Sequence, residues 1–115
     1  MSDADASPRT PAVDLDLTSE VDGSAATVVV RGELDVYTAP QLRARLHDLV
    51  DAGVSTVTLD LADLAFIDSS GLGVIVGTLK RLRERDGNLV LRSPSRATSK
   101  VLDITGLARI LDVID

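Results

Sequence analysis

The stretch "LAFIDSSGLGVIV", residues 64–76, sets an acid, two serines and two glycines between hydrophobic runs. Three chemistries could use such residues: nucleophilic attack by a serine, cradling of a phosphate by glycines, or acceptance of an anion at a helix start. A nucleophile elbow needs G-x-S-x-G, but Ile67 stands two residues before Ser69, and the only histidine, His47, falls on a predicted helix well away from this loop. Gly71, Gly73 and Gly77 are spaced G-x-G-x-x-x-G, not the dinucleotide G-x-G-x-x-G, and no lysine follows as a P-loop demands. Asp60, Asp63 and Asp68 could crowd at one strand end as in phosphoacceptor receiver domains, yet Asp60 lies within a predicted strand and a solvated acidic rim is the better reading. One histidine and scattered carboxylates supply no ligand pair at a metal spacing, so no metal or cofactor is expected. Ser69 itself lies near a helix N-cap, where outward N–H groups welcome an anion. The plainer alternative is a simple N-cap, with the glycines only permitting close helix packing.

The elements that must hold this elbow follow from periodicity. "VDLDL" alternates from Val13, and "ATVVVRG" follows a turn at "EVDGSA", which predicts a hairpin turning at Asp22 and Gly23. In "YTAPQLRARLHDLVDAG", Thr38 and Gln41 have capping-box spacing, Leu42, Leu46, Leu49 and Val50 form one stripe, and Gly53 is the stop. "STVTLDL" is a third strand. Ser69 to Arg85 is a second helix, with Leu72, Ile75, Val76, Leu79 and Leu82 on one face and Lys80, Arg81, Arg83 and Arg85 at its negative end. Asp86-Gly87 breaks it. "NLVLR" is a fourth strand, "SRATSKVLDITG" a third helix and "RILDVI" a last short strand. The alternation implies an α/β domain: a mixed sheet of four to five strands with an antiparallel edge and three helices packed against it.

The 115 residues suffice for one domain. Residues 1–12 read as a disordered acidic tail, because Ser, Asp, Ala and two prolines bury too little surface to offset ordering, and residues 13–115 as the domain. Hydrophobic residues at 44% with aromatics at 2% and no tryptophan make the core aliphatic. A net charge of −6 and a pI near 4.6 argue against nucleic acid or an anionic membrane and favour a protein partner or small ligand. The absence of cysteine removes disulfides and thiolate chemistry and fits a reducing compartment. No run approaches the apolar length of a membrane span and the N-terminus lacks a signal-peptide core, so a cytoplasmic location is expected.

Taken together, "RGELDVYTAPQLRARL", "TVTLDLADLAFIDSSGLGVIV" and "SKVLDITGL" resemble the STAS family, and within it the bacterial anti-sigma factor antagonists, over residues 13 to 114. The resemblance implies the STAS fold and reverses the balance on Ser69. It implies that Ser69 is phosphorylated by a partner that is both anti-sigma factor and serine kinase. Unphosphorylated antagonist would capture that partner and free the sigma factor, and a metal-dependent serine phosphatase would reset the switch. The chain would then be a kinase substrate rather than an enzyme. By the same resemblance, the loop of Asp35, Val36, Tyr37 and Thr38 lies beside the elbow and shares a partner surface with Asp68, Ser70, Gly71, Leu72 and Gly73. Tyr37 is either an exposed anchor or half-buried. Asp35 either orients the phosphoacceptor or ends a strand, and Ser70 packs within the first helical turn.

The family usually continues into a further C-terminal helix, whereas this sequence ends at Asp115, so that helix is either absent or trimmed. An alternative function is a STAS scaffold or accessory subunit, in a stress-signalling or lipid-transport complex, that docks without being switched. A hydrolase is disfavoured by the missing base. An unpaired edge strand leaves monomer and weak dimer both open.

Overall fold

The computed structural model describes residues 15–115. The expected tail and the start of the domain at Val13 lie outside the described residues. Strand β1 (Asp16–Asp22) turns through Gly23 and Ser24 into β2 (Ala25–Leu34). Gly23 sits at φ +63, a conformation that favours glycine in a tight hairpin. The first strand thus runs further than "VDLDL", because Leu17, Ser19 and Val21 continue the alternation opposite Val30, Val28 and Ala26.

The sheet has six strands in the order β1-β2-β3-β5-β6, with β4 also paired to β2. Here β3 is Thr56–Asp60, β4 Leu64–Ile67, β5 Asn88–Arg92 and β6 Asp112–Ile114. Only β1 is antiparallel, as the edge reading required. Strand β4 was not expected: its burial runs buried, exposed, exposed, buried, so it carries no period of two to detect. Ten-residue β2 serves two neighbours. Ala25 to Val29 pair with β3, Gly32 to Leu34 pair with β4, and the register shifts between Gly32 and Glu33.

One face of the sheet is sealed by aliphatic side chains. Val28, Val30, Val57, Leu59, Leu89 and Leu91 are buried, together with Leu42, Leu46 and Val50 of α1 (Ala39–Asp51) and Ile75, Leu79 and Leu82 of α2 (Ser69–Arg83). The intervening residues Thr27, Val29, Thr58, Asp60, Val90 and Arg92 are half-buried on the opposite face. Val74 joins the α2 stripe, and Val76 is only half-buried. The basic end of α2 is tied down: Arg81 meets Asp51 at 3.1 Å, Arg85 Nη1 donates to the Val50 carbonyl at 3.0 Å, and Arg83 Nη2 to the Ile110 carbonyl at 3.1 Å. Helix α3 (Arg96–Thr105) starts at Ser95, whose hydroxyl accepts the Thr98 N–H at 3.2 Å, and stops at left-handed Gly106. A short 3-10 turn, Leu107–Arg109, then consumes the start of "RILDVI" and shortens the last strand.

The expected capping box at α1 does not form. Thr38 is helical at φ −99 and ψ −20, and its hydroxyl donates to the Glu33 carbonyl at 2.8 Å. Gln41 instead donates through Nε2 to the Leu15 carbonyl at 2.9 Å, pinning the start of the domain to the helix. Both side chains found partners outside the helix end, so the local pattern lost to tertiary bonds.

Three glycines of α2 differ in kind. A Cβ at Gly71 would strike the Leu34 and Ile67 side chains, whereas one at Gly73 or Gly77 would meet nothing within 4 Å. Gly71→Ala is expected to lower stability by about 1–3 kcal/mol. Gly77→Ala is expected to raise it by about 0.5–1 kcal/mol through helix propensity and reduced chain entropy. Urea unfolding of the two variants checks the opposite signs.

Candidate functional site

Split pairing of β2 builds the site. Leu34 and Ile67 are register partners, and the Asp68 N–H continues the ladder by donating to the Leu34 carbonyl at 3.1 Å. The two loops that follow, from Asp35 and from Asp68, therefore start side by side.

The second loop has no length at all. Asp68 is extended, at φ −117 and ψ −172, and its Oδ1 accepts the N–H of Ser70 at 2.8 Å and of Gly71 at 3.2 Å. The Leu72 N–H then donates to the Asp68 carbonyl at 3.0 Å, the first full helical bond. Asp68, not Ser69, is the N-cap. Ser69 is the first helical residue, exposed and without cap duty, and Ser70 is half-buried in the first turn. The helix terminus is also less open to an anion than the sequence implied, since a carboxylate already occupies two of its amides.

The first loop is closed in the same way. Asp35 Oδ1 accepts the N–H of Tyr37 at 2.9 Å and of Thr38 at 3.1 Å, and its carbonyl accepts the Ala39 N–H at 2.8 Å. These bonds hold Asp35 to its own turn rather than to Ser69. They leave Val36 59% and Tyr37 88% exposed, so the tyrosine stands free of the core. Thr38, Gly71 and Leu72 are buried and support the surface from beneath, while Gly73 is exposed.

Phe66, 48% exposed on β4 opposite Glu33, is an exposed apolar group that the sequence pattern does not single out. Its signal was present: Phe66 is the only phenylalanine, two residues before the acid. Two surface depressions, one beside Glu20 and Asp22 and one beside Leu102 and Leu111, lie away from the elbow. Ser69 is thus exposed at the start of α2, next to the turn that exposes Val36 and Tyr37, and neither depression is lined by a residue of the elbow.

The three acids near the strand ends are each engaged separately. Asp60 meets Arg92 at 2.9 Å and accepts the Ala62 N–H at 3.1 Å, Asp63 faces Arg31 at 3.6 Å, and Asp68 caps α2. The Ala62 N–H, with help from the Arg92 guanidinium, holds the Asp60 carboxyl below its ordinary value of 3.8. Among the described residues no group of three potential metal ligands comes together. No described helix is long and apolar enough to cross a membrane.

The STAS domain family model matches residues 16–115, which is nearly the whole described fold. The chain belongs to the STAS-domain family. An anti-sigma-B factor antagonist from Staphylococcus epidermidis is 43% identical over 86 residues, covering 75% of this chain and 80% of that protein. The anti-sigma factor antagonist SpoIIAA in its unphosphorylated form superposes with a TM-score of 0.76 at 27% identity, over 85% of this chain and 87% of that one. The phosphorylated form of the Bacillus cell fate determinant SpoIIAA matches with a TM-score of 0.68 at 28% identity, over 86% and 89%. The STAS fold is therefore the expected one, with six strands where the sequence predicts four to five.

Asp68→Ala is expected to cost about 1 kcal/mol, the worth of a side-chain N-cap, and Ser69→Ala close to nothing. Equal losses in thermal unfolding would mean that Ser69 shares the cap. Because the Asp60 carboxyl is depressed in the folded state, its stabilisation is present above pH 3.8 and disappears as the pH falls through the folded-state value. Asp60→Asn is accordingly expected to lower the urea midpoint at neutral pH and to match the parent chain in strong acid.

Proposed function

We propose that this STAS domain is an anti-sigma factor antagonist switched at Ser69. The unphosphorylated chain captures an anti-sigma factor that is also a serine kinase, releasing the sigma factor in the cytoplasm. The kinase then phosphorylates Ser69, the complex separates, and a metal-dependent serine phosphatase restores the free hydroxyl. The observation that carries the reading is an exposed serine, free of cap duty, whose loop starts beside the turn that exposes Val36 and Tyr37. The relatives named as anti-sigma-B factor antagonists, and SpoIIAA known in two phosphorylation states, support it. A scaffold that is never switched has no need of that hydroxyl.

The electrostatics give the modification its consequence. A phosphate adds about −2 charge, and at about 6 Å from a partner carboxylate it is repelled by roughly 1.4 kcal/mol in water and roughly 5.5 kcal/mol at an effective dielectric near 20. Every 1.4 kcal/mol is about tenfold in affinity. Val36, Tyr37 and Gly73 form the contact surface, with the bare Gly73 allowing close approach along α2.

Incubation with a co-encoded kinase and ATP, followed by mass spectrometry, is expected to place one phosphate on Ser69. Phosphate on Ser70 alone would refute the assignment. Ser69→Ala should hold the partner persistently, and Ser69→Asp should weaken binding at least about tenfold. Gly73→Trp should block binding while leaving the unfolding midpoint nearly unchanged, because the space above it is open.

A further inference from the structure

The free edge of β1 presents a second surface that the Ser69 reading does not use. Strand β1 pairs with β2 along all seven of its residues, and no described strand pairs with its other edge. About half of its backbone N–H and C=O groups therefore point outward, as they do on any edge of an antiparallel ladder. "DLTSEVD" contains none of the proline, lysine or bulge that commonly blunt such an edge.

The side chains on that edge are sorted by face. Asp16, Thr18, Glu20 and Asp22 stand opposite Arg31, Val29, Thr27 and Ala25, on the face away from the helices. Asp16 has Arg31 at 3.6 Å, but the residues opposite Glu20 and Asp22 carry no charge. On the other face lie half-buried Leu17, half-buried Ser19, whose hydroxyl accepts from Arg45 Nη1 at 2.6 Å, and Val21, which is 56% exposed. An open depression of about 590 Å³ adjoins the hairpin end, lined by Glu20, Asp22, Thr27 and Thr58 among others.

The pattern discriminates among occupants. In a second copy paired antiparallel about Ser19, Asp16 falls opposite Asp22 and Thr18 opposite Glu20, and in-register parallel pairing sets each acid against itself. Like charges directly across a ladder destabilise it. Residues 1–14 carry three aspartates against one arginine, so they do not complement the edge either. We infer that β1 accepts an extended segment of another protein whose residues alternate basic and apolar, adding an antiparallel strand with Lys or Arg opposite Asp22, Glu20 and Asp16. Main-chain bonds supply the affinity and the carboxylate row sets the register. The Asp22 end of this edge is separated from the elbow by the length of β2, roughly 30 Å at 3.3 Å per residue, while the Asp16 end, opposite Arg31, lies three residues of β2 short of Leu34.

The peptide acetyl-Lys-Val-Lys-Val-Thr-Val-Lys-amide, added to the full chain, is the probe, and amide hydrogen exchange is the readout. Slowed exchange in β1, with binding that weakens as salt is raised, is expected. The paired variant Glu20→Lys/Asp22→Lys should bind this peptide about tenfold more weakly and should instead take the version with Glu in place of Lys. A version with proline at its central valine should not bind, and Ser69→Asp should bind the probe as the parent chain does. Equal binding of the proline peptide would reduce the interaction to charge alone and overturn the proposal. So would β1 amides protected in the free chain and exposed by deleting residues 1–14, which would make the N-terminal segment the occupant. Protection that grows with protein concentration alone would identify a second copy and overturn it as well.

Discussion

The site depends on one strand having two neighbours. β2 begins against β3 and ends against β4, and the exchange is made at Gly32, whose φ of +108 admits no ordinary side chain without strain. The Gly32 N–H donates to the Asp63 carbonyl at 3.3 Å just where β4 takes over. Without that exchange, four-residue β4 would have no ladder, and Asp68 would have no Leu34 carbonyl to bind. The elbow and the Asp35 turn are neighbours because they leave adjacent strands at the same level of the sheet. Gly71 closes the arrangement from the other side, since its missing side chain lets α2 settle on Leu34 and Ile67.

The charges of α2 are then distributed so that a phosphate on Ser69 would have no cation of that helix beside it. The positive end of the helix is already engaged by Asp68, which holds two of the first amides. The cations of the same helix, Lys80, Arg81 and Arg83, sit in its last turn. Fifteen residues of helix span roughly 22 Å, well past the Debye length of about 8 Å at physiological salt. Arg81 and Arg83 are moreover bound to Asp51 and the Ile110 carbonyl. A phosphoryl group here would meet no cation of its own helix and would add negative charge to a chain whose net charge is already −6.

Much of the fold was legible because burial on one face of a helix or sheet writes a period into the sequence. Leu42, Leu46, Leu49 and Val50 mark α1, and Val57 and Leu59 mark β3, where the structure buries them. Strand β4 escaped because neither Ala65 nor Phe66 is buried, so no alternation exists to read. The Thr38–Gln41 pair misled for the opposite reason: the spacing was right, but Glu33 and Leu15 offered carbonyls that only the folded chain brings within reach. At the site, the motif located Ser69 and its loop, yet not which residue does the capping. Serine and aspartate both cap helices well, and only the backbone path separates position N-cap from N1. The exposure of Tyr37 was likewise unreadable, since it follows from the Asp35 carboxylate closing the turn beneath it.

The shift of the cap by one residue, from Ser69 to Asp68, bears on how a switch can work. A serine that capped α2 would lend its oxygen to the amides of the first turn, and attaching a phosphate would disturb the bond that starts the helix. Stability and signal would then be coupled. With Asp68 as the cap, the amides of Ser70 and Gly71 keep their acceptor whatever happens at Ser69. The hydroxyl projects from a backbone fixed by a neighbour, by the Leu34 carbonyl and by the fit of Gly71 against the core. A residue so placed can change its charge while the fold beneath it stays the same, and the change is read only by what docks on the surface.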